Sequence, residues 1–375
     1  MKKICIVTWF DSYNYGTQLQ SAALFNYLKQ QGLDVYMLGQ LRIHKMLLMH
    51  PQLLITKIAV KLNEKNRKVF FHPVSYDISE ERKKHIAEYV RDNFKVLKIR
   101  THDDWKKVVE DQFIFISGSD IIWQPAMGRP GRMFLDFAAY DGLIRISYAS
   151  STGAKTLPKK YYAHYRRVLS GFKAISTREQ NSADFFSELL GRPVTKVIDP
   201  TLLHDCDFWE KFSAKAQVNG LSGKPFILCY FVMEDSRYWD YVQLIHLNYG
   251  DYEIVVLPMH HSDEQQGYST VTNGTAYEFI RLIRDSEFVV TDSFHASVFS
   301  FLFDKEFYVL PRSRKDEDEK FNDLVQKYGL SSHIIQDETT FERILDTDYS
   351  AGKAILQEDR KKAYRFLKEA IGIDS

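Results

Sequence analysis

Short apolar segments alternate with polar turns and amphipathic segments along most of the chain. Residues 3–9 have the pattern of a strand, residues 18–31 that of a helix, and residues 33–38 that of a second strand. Such a succession is typical of an α/β fold with a parallel sheet. Apolar runs predict further strands at residues 113–117, 145–149, 174–177, 196–198, 226–231, 253–258, 287–291 and 306–310.

Polar residues repeatedly follow the carboxyl ends of these predicted strands. In an open parallel sheet, this edge and the amino ends of the next helices form the usual ligand crevice, and helix amides suit an anion. We therefore expect the functional loops along one edge. The turns concerned contain Asn14, Tyr15 and Gly16; Gly118, Ser119 and Asp120; Arg178; and Asp292, Ser293 and His295.

The length of 375 residues predicts two domains, because one ordinary core rarely grows so large. Gly, Ser, Lys and Pro cluster within residues 214–225, which we interpret as the linker. The predicted domains are residues 1–216 and 217–350, facing a cleft. Residues 351–375, with a helix at about 357–371, are expected to return to the first domain.

Composition narrows the classes of function. Hydrophobic residues make up 45% and charged residues 26%, as in a globular protein. The net charge of +1 gives no global attraction to nucleic acid or to an anionic membrane, so any anion site must be local. Three widely spaced cysteines predict neither a disulfide framework nor a zinc site.

The sequence contains no signal-peptide pattern and no run of about 20 apolar residues, so we expect a cytoplasmic protein. Residues 41–62 are apolar and punctuated by lysines. They could form a peripheral membrane surface, or an amphipathic helix packed on its own domain.

The turn before the apolar helix at about residue 294 holds the most informative side chains. A titratable His295 at this place could bind a phosphorylated substrate or move a proton. The alternative is that Asp292 or Ser293 caps the helix and His295 packs beside it.

Six segments, in this order, resemble the polysaccharide pyruvyl transferase family. They are NYGTQLQSAAL, SGSDIIWQP, FLDF followed by RISYASSTG, ISTREQNS, VIDPTLL and VTDSFHASVFSFLF, and they span residues 14–303. The resemblance implies a fold similar to the GT-B glycosyltransferases, with two Rossmann-like domains facing a cleft. It also implies transfer of a pyruvyl group from phosphoenolpyruvate to two sugar hydroxyls, which forms a ketal.

For this chemistry His295 is the candidate for proton transfer or for holding the donor phosphate, with Asp292 and Asp120 as catalytic carboxylates. Asp120 could instead belong to a plain turn. Family members often carry Arg two residues before this His, but this chain has Ser293. The donor-binding cation must then come from elsewhere, and Arg178 is the first choice because the same turn of the family supplies an anion-binding Arg. Arg178 could instead pair with Glu179 or Asp199. The second choices are Arg312 and Arg314, which could equally belong to a solvated charge run.

The other turns have supporting roles in this interpretation. Gly16 would let the backbone approach a ligand beside Asn14 and Tyr15, although helix capping explains Asn14 equally well. Gly118 and Ser119 would accompany Asp120 on the acceptor side, with Trp123 as a sugar platform or a core residue. The polar loop of His260, His261 and Asp263 is a poor metal site, and we expect no metal and no cofactor besides the donor substrate.

We therefore expect Gly16, Asp120, Arg178 and His295 to converge in one interdomain crevice. The donor would lie near His295, and the acceptor, a polysaccharide or its lipid-linked precursor, would lie against first-domain loops. Two alternatives stay open. One is a glycosyltransferase in which Glu278 or Glu264 holds the ribose of a nucleotide sugar. The other, favoured by Ser293 alone, is an inactive binding homologue.

Overall fold

The computed structural model describes residues 1–41, 78–124, 130–139, 141–153, 157–250, 252–264, 266–312, 319–335 and 346–373. The strands in these ranges are β1 (Lys3–Val7), β2 (Asp34–Leu41), β3 (Val96–Ile99), β4 (Ile114–Ser117), β5 (Arg145–Ser147), β6 (Ser176–Thr177), β7 (Thr195–Lys196), β8 (Phe226–Tyr230), β9 (Glu253–Val256), β10 (Ser269–Thr270), β11 (Phe288–Thr291) and β12 (Glu306–Val309).

The helices of the same ranges lie between these strands and after the last one. They are α1 (Tyr15–Gln30), α2 (Glu80–Asn93), α3 (His102–Glu110), α4 (Pro130–Met133), α5 (Tyr162–Leu169), α6 (Gln180–Leu190), α7 (Cys206–Phe212), α8 (Arg237–Tyr249), α9 (His261–Glu264), α10 (Ala276–Asp285), α11 (Phe294–Leu302), α12 (Glu319–Tyr328) and α13 (Ser350–Ile371).

Two five-stranded sheets form the framework. Their strand orders are β3-β2-β1-β4-β5 and β10-β9-β8-β11-β12, and all their pairings are parallel. Both sheets therefore have the doubly wound arrangement, in which the chain builds from the central strand to one edge and then returns to the other side of the central strand. The small pair β6 and β7 extends the first sheet through bridges to Ile146 and Ser150. This architecture confirms the predicted α/β class.

The alternation of side chains along the central strands divides the apolar residues into layers. Ile4 and Ile6 of β1 face one cluster, whereas Cys5 and Val7 face another. The first cluster continues into the second sheet through residues such as Val289 of β11. One apolar core therefore connects the two sheets, while each sheet has a further core on its outer face.

Helix α1 packs in the shared core and is buried along most of its length. The ring of Tyr15 contacts Tyr230 and Phe279, with centroid distances of 5.6 and 5.5 Å. The side-chain oxygen of Gln18 accepts a hydrogen bond from the backbone N–H of Ala276, at 3.1 Å. These contacts hold the amino end of α1 against the second sheet's side of the molecule.

The last helix, α13, returns to the segment after β7. Arg360 donates to the carbonyl oxygens of Leu202 and His204, at 2.7 and 2.5 Å. The Tyr364 hydroxyl donates to Leu203 O, and its ring stacks on Tyr27. A buried arginine thus satisfies two buried carbonyl groups that lie outside regular sheet pairing.

Several expectations meet the structure only in part. Elements α2, α3, β3 and β10 were not predicted. Strands β3 and β10 are edge strands of four and two residues, and Ile99 is their one buried residue. Most of residues 41–62 lies outside the described residues. The domain boundaries stay a prediction. In the described part of the chain, no helix is both long and apolar enough to cross a bilayer.

Replacing Arg360 with Met should lower the free energy of unfolding by about 2–3 kcal/mol, because two buried carbonyls lose charged hydrogen-bond donors. Urea denaturation followed by circular dichroism measures the change. Arg365→Met, at an exposed position of the same helix, is the matched control and should change stability little. Equal stabilities of the two variants would contradict the anchoring role.

Candidate functional site

The polar turns lie at the switch points of the two sheets. Residues 14–16 follow β1 and residues 118–120 follow β4, the two neighbouring strands at the centre of the first sheet. In the second sheet, residues 231–233 follow β8 and residues 292–295 follow β11. Loops that leave such neighbouring strands in opposite directions open a crevice between them.

The amino end of α1 touches the amino end of α11. Asn14 caps α1 by accepting a hydrogen bond from Thr17 N, at 3.1 Å. Gly16 packs against the imidazole of His295, and a Cβ atom at residue 16 would overlap that ring. Glycine is therefore required here by the close approach of a side chain from the other half of the molecule.

Asp120 lies beside the same helix end. Its Oδ2 accepts a hydrogen bond from the Thr17 hydroxyl, at 2.7 Å, and its Oδ1 accepts one from Ile121 N, at 2.8 Å. The backbone of Asp120 is left-handed, with φ of 83°, which Asp adopts more readily than most residues. Asp120 is half-buried, so its carboxylate is within reach of a ligand.

Arg178 is buried and paired with two carboxylates. Its Nε lies 3.0 Å from Glu179 Oε1, and its Nη1 lies 2.9 Å from Asp199 Oδ2. The guanidinium also lies over the ring of Phe294, 5.0 Å from its centroid. Burial disfavours the charge, but Glu179, Asp199 and Asp120 outweigh it and raise the pKa of Arg178. The predicted alternative, pairing with Glu179 or Asp199, is therefore what the structure contains, and a role in donor binding stays a prediction.

Asp199 joins Arg178 to His295. The same Oδ2 that faces Arg178 lies 3.6 Å from His295 Nε2, while Oδ1 accepts hydrogen bonds from the backbone and hydroxyl of Thr201. The carboxylate is fully buried. Burial opposes its ionisation, yet His295, Arg178 and the Thr201 N–H together hold the pKa of Asp199 well below its usual range.

His295 itself is 12% exposed at the start of α11. Its ring lies between Gly16 and Asp199, so groups from both halves of the molecule fix its position. Within the described residues, Nε2 lacks a hydrogen-bond partner at normal distance. Nε2 is itself buried beside Asp199, so the exposed part of the imidazole lies elsewhere on the ring.

Asp292 lies in a network of backbone hydrogen bonds, and its assignment as a catalytic residue stays a prediction. It is fully buried, and its two oxygens accept hydrogen bonds from Val232 N and Met233 N, at 2.6 and 3.0 Å. The guanidinium of Arg312 donates two hydrogen bonds to the backbone oxygen of Asp292, so this side chain also has a structural contact. Asp292 therefore fixes the loop after β8.

Two aromatic residues are also placed differently from the expectation. Trp123 is fully buried, stacks on Phe134 and donates to Ser117 Oγ, so its ring has no face for a sugar. Tyr15 is buried in the contact described above rather than exposed beside a ligand. Sequence spacing near a carboxylate did not distinguish a core aromatic ring from a binding platform.

The remaining predicted residues have mainly structural contacts. Ser293 caps α11 through Ala296 N, and Gly118 packs closely on Thr8. Ser119 Oγ is buried without a hydrogen-bond partner in the described ranges. Arg314 lies outside the described residues.

The loop after β9 is held by its own side chains. Asp263 accepts hydrogen bonds from Met259 N and His260 N, and His260 Nε2 lies 3.0 Å from Val232 O. Among the described residues, no group of His, Cys, Asp and Glu side chains could hold a metal ion. His260 therefore joins the loops after β8 and β9 to each other.

The structure brings together Gly16, Asp120, Arg178 and His295, and adds Asp199. The sequence indicated Asp199 only as a possible ion-pair partner of Arg178. The signal was present, because its position before Pro200 matches the turn after a predicted strand. The contact between Asp199 and His295 could not be predicted from local sequence patterns, because the two residues are 96 positions apart in the chain.

A double-mutant cycle tests the contact between Gly16 and His295. Gly16→Ala alone should destabilise the protein by about 1–3 kcal/mol, because the new methyl group displaces the imidazole. In a His295→Ala background the same change should be neutral or stabilising by up to about 1 kcal/mol, since Ala favours helix over Gly. Chemical denaturation of the four proteins gives the coupling, and additive effects would refute the contact.

The pH dependence of stability tests the buried carboxylate. At neutral pH, Asp199→Asn should lower the free energy of unfolding by roughly 3–5 kcal/mol, because Arg178 loses a buried partner. The folded-state pKa is depressed, so this stabilisation is complete above the unfolded pKa of about 3.9 and is lost as pH falls further. Asp205→Asn, at an exposed helix cap, should show no such pH-dependent gap.

Known protein structures share this arrangement of two parallel sheets. Solved structures with the same fold include a UDP-GlcNAc 2-epimerase from Neisseria meningitidis bound to UDP-GlcNAc, with 10% identity over 99% of this chain and 94% of that chain, and a TM-score of 0.50. A UDP-N-acetylglucosamine 2-epimerase from Rickettsia bellii has 10% identity over 99% of this chain and 97% of that one, also with a TM-score of 0.50.

At this identity the likeness concerns the fold alone, which is GT-B-like with two Rossmann-like halves. A comparison with curated proteins gives no significant match. The family model of polysaccharide pyruvyl transferase matches residues 59–314, a range that contains Asp120, Arg178, Asp199 and His295. The chain belongs to the polysaccharide pyruvyl transferase family.

Proposed function

We propose that this protein transfers a pyruvyl group from phosphoenolpyruvate to two hydroxyls of a sugar in a polysaccharide or its lipid-linked precursor. The observation that carries the proposal is the position of His295 at the amino end of α11, between Gly16 and Asp199. Helix amides and a titratable ring at one point suit a donor that needs both an anion site and a proton.

The reaction is an addition to the double bond of the donor, followed by substitution of the phosphate. A proton is added to the methylene carbon of the donor, and one sugar hydroxyl forms a bond to the neighbouring carbon and loses its proton. The carbon–oxygen bond to phosphate then breaks, and the second hydroxyl attacks the same carbon. The products are a pyruvate ketal and inorganic phosphate. Of the two protons that the hydroxyls lose, one balances the proton added to form the methyl group and the other is taken up by the phosphate.

His295 is the proposed proton donor to the methylene carbon. The Asp199 carboxylate lies 3.6 Å from Nε2 and orients the ring. Asp199 thereby acts through His295 as a positioning residue. Its own ionisation is secured by Arg178 and Thr201, so it does not compete for the proton.

Asp120 is the proposed base for a sugar hydroxyl. Its carboxylate is half-buried and its Oδ2 hydrogen bond comes from Thr17, the residue after Gly16, so it lies on the first-sheet side of the same crevice. A carboxylate that retains solvent access can accept a proton and release it. This arrangement keeps the acceptor on the side of the first sheet and the donor near α11.

The contacts of Glu278 weigh against a nucleotide-sugar glycosyltransferase. Its Oε1 accepts from Gln217 N, and its Oε2 accepts from the backbone and hydroxyl of Thr275. Both oxygens are engaged in holding the start of α10, which leaves this residue unsuited to a ribose. Glu264 is exposed and lies 3.7 Å from His261.

The activity is tested with phosphoenolpyruvate and a panel of sugars and glycosyl phosphates, by measuring phosphate release and the mass of the pyruvylated product. His295→Ala should lower turnover by about 10²–10⁴-fold, the usual contribution of a general acid, while the fold is retained. His261→Ala is the matched control, because its exposed ring, in α9, lies 3.7 Å from Glu264 rather than beside Asp199.

Turnover of His295→Ala equal to that of His261→Ala would overturn the assignment. A donor screen separates the function from its alternative. At 100 times its dissociation constant, a bound ligand adds about 2.7 kcal/mol to stability, so phosphoenolpyruvate and nucleotide sugars can be compared by thermal shift. Stabilisation by nucleotide sugars alone would favour the glycosyltransferase.

A further inference from the structure

A pocket of about 210 Å³ borders the candidate site. Its walls come from the loops after β6 and β7, the first residue of α11, and helices α12 and α13. Arg178 and Asp199 belong both to this pocket and to the crevice around His295. A ligand in the pocket would therefore lie next to the proposed reaction centre.

Three lysines from three elements line the pocket: Lys196 of β7, Lys327 of α12 and Lys362 of α13. The side chains of Lys327 and Lys362 are 34% and 72% exposed, and their ammonium nitrogens lie 2.6 and 4.0 Å from the buried carboxylate of Asp359. Convergence of lysines from separate parts of the chain is not a consequence of helical repetition.

The carboxylates of the pocket are buried and engaged. Asp199 is bound as described above, and Glu179 pairs with Arg178. Asp359, whose side chain is 6% exposed, accepts from the Tyr328 hydroxyl at 2.9 Å and pairs with Lys327 at 2.6 Å. The lining has four cationic side chains, Arg178 and the three lysines, against three carboxylates, so an entering ligand meets one net positive charge.

Glu179 supplies a second and different requirement. Its side chain is 7% exposed, and its Oε2 is buried without a hydrogen-bond partner in the described part of the chain. A buried carboxylate oxygen needs a donor. A sugar hydroxyl is such a donor, whereas ionised phosphoenolpyruvate offers none.

We propose that this pocket binds a phosphorylated sugar, with the phosphoryl group near Lys196, Lys327 and Lys362 and a hydroxyl near Glu179. The inference rests on the proposed function, in which this ligand is the phosphate-linked end of the acceptor. Lysine ammonium groups act as point charges for phosphate, and hydroxyl–carboxylate hydrogen bonds give the selectivity for a sugar.

Binding is measured by calorimetry with the full-length protein and three probes: glucose 1-phosphate, inorganic phosphate and phosphoenolpyruvate. Lys362→Glu should weaken glucose 1-phosphate binding about tenfold, as expected for loss and reversal of a phosphate-binding charge. Lys361→Glu is the matched control, because this lysine is 67% exposed on the same helix and pairs with Glu358 outside the pocket. Its affinity for glucose 1-phosphate should match that of the wild type.

The other arms distinguish the source of the phosphate. Glu179→Gln should reduce the preference for glucose 1-phosphate over inorganic phosphate. Equal weakening by Lys362→Glu and Lys361→Glu would show only a surface field and would overturn the proposal. So would a loss of phosphoenolpyruvate affinity in Lys362→Glu without a loss for glucose 1-phosphate, because the pocket would then serve the donor.

These measurements involve no turnover, so they separate this inference from the proposed function. Lysine-dependent binding of glucose 1-phosphate without pyruvyl transfer would leave the pocket assigned and remove the activity. Pyruvyl transfer to a sugar without any binding of glucose 1-phosphate would retain the activity and overturn the pocket assignment.

Discussion

One carboxylate oxygen, Oδ2 of Asp199, faces Arg178 at 2.9 Å and His295 at 3.6 Å. Arg178 belongs to the extension of the first sheet, and His295 begins a helix of the second. A charge buried at this point is tolerated only because cationic partners surround it. The relative position of the loops of the two sheets therefore determines whether the ionised carboxylate of Asp199 is stabilised. The carboxylate in turn determines the orientation of the imidazole.

The apolar core supports the same arrangement. Because Tyr15 packs on Tyr230 and Phe279, the amino end of α1 stays close to α11, and Gly16 can contact His295. Replacing Gly16 with a larger residue, or removing the packing of Tyr15 on Tyr230 and Phe279, would separate the imidazole of His295 from its neighbours. The site thus depends on the packing of a helix whose residues are themselves nearly all buried.

Sequence patterns predicted the fold class and most strands because parallel strands buried on both faces are continuous apolar runs, as β4 and β11 are. They also located the polar turns, since these follow the strands directly. They missed the edge strands β3 and β10, in which Ile99 is the one buried residue. The roles within the turns were harder to predict, because Asp292 and Asp120 look alike in sequence, yet one binds backbone amides and the other remains accessible.

The family's alternative Arg two residues before the histidine is replaced here by Ser293, which caps α11. Arg178 is already paired with Glu179 and Asp199. In the proposed reaction, the N–H groups at the first turn of α11 and the ring of His295 would then meet the negative charge of the donor. Donor binding and proton transfer would therefore depend on the same turn, because the buried carboxylate of Asp199 lies 3.6 Å from the ring that both steps need.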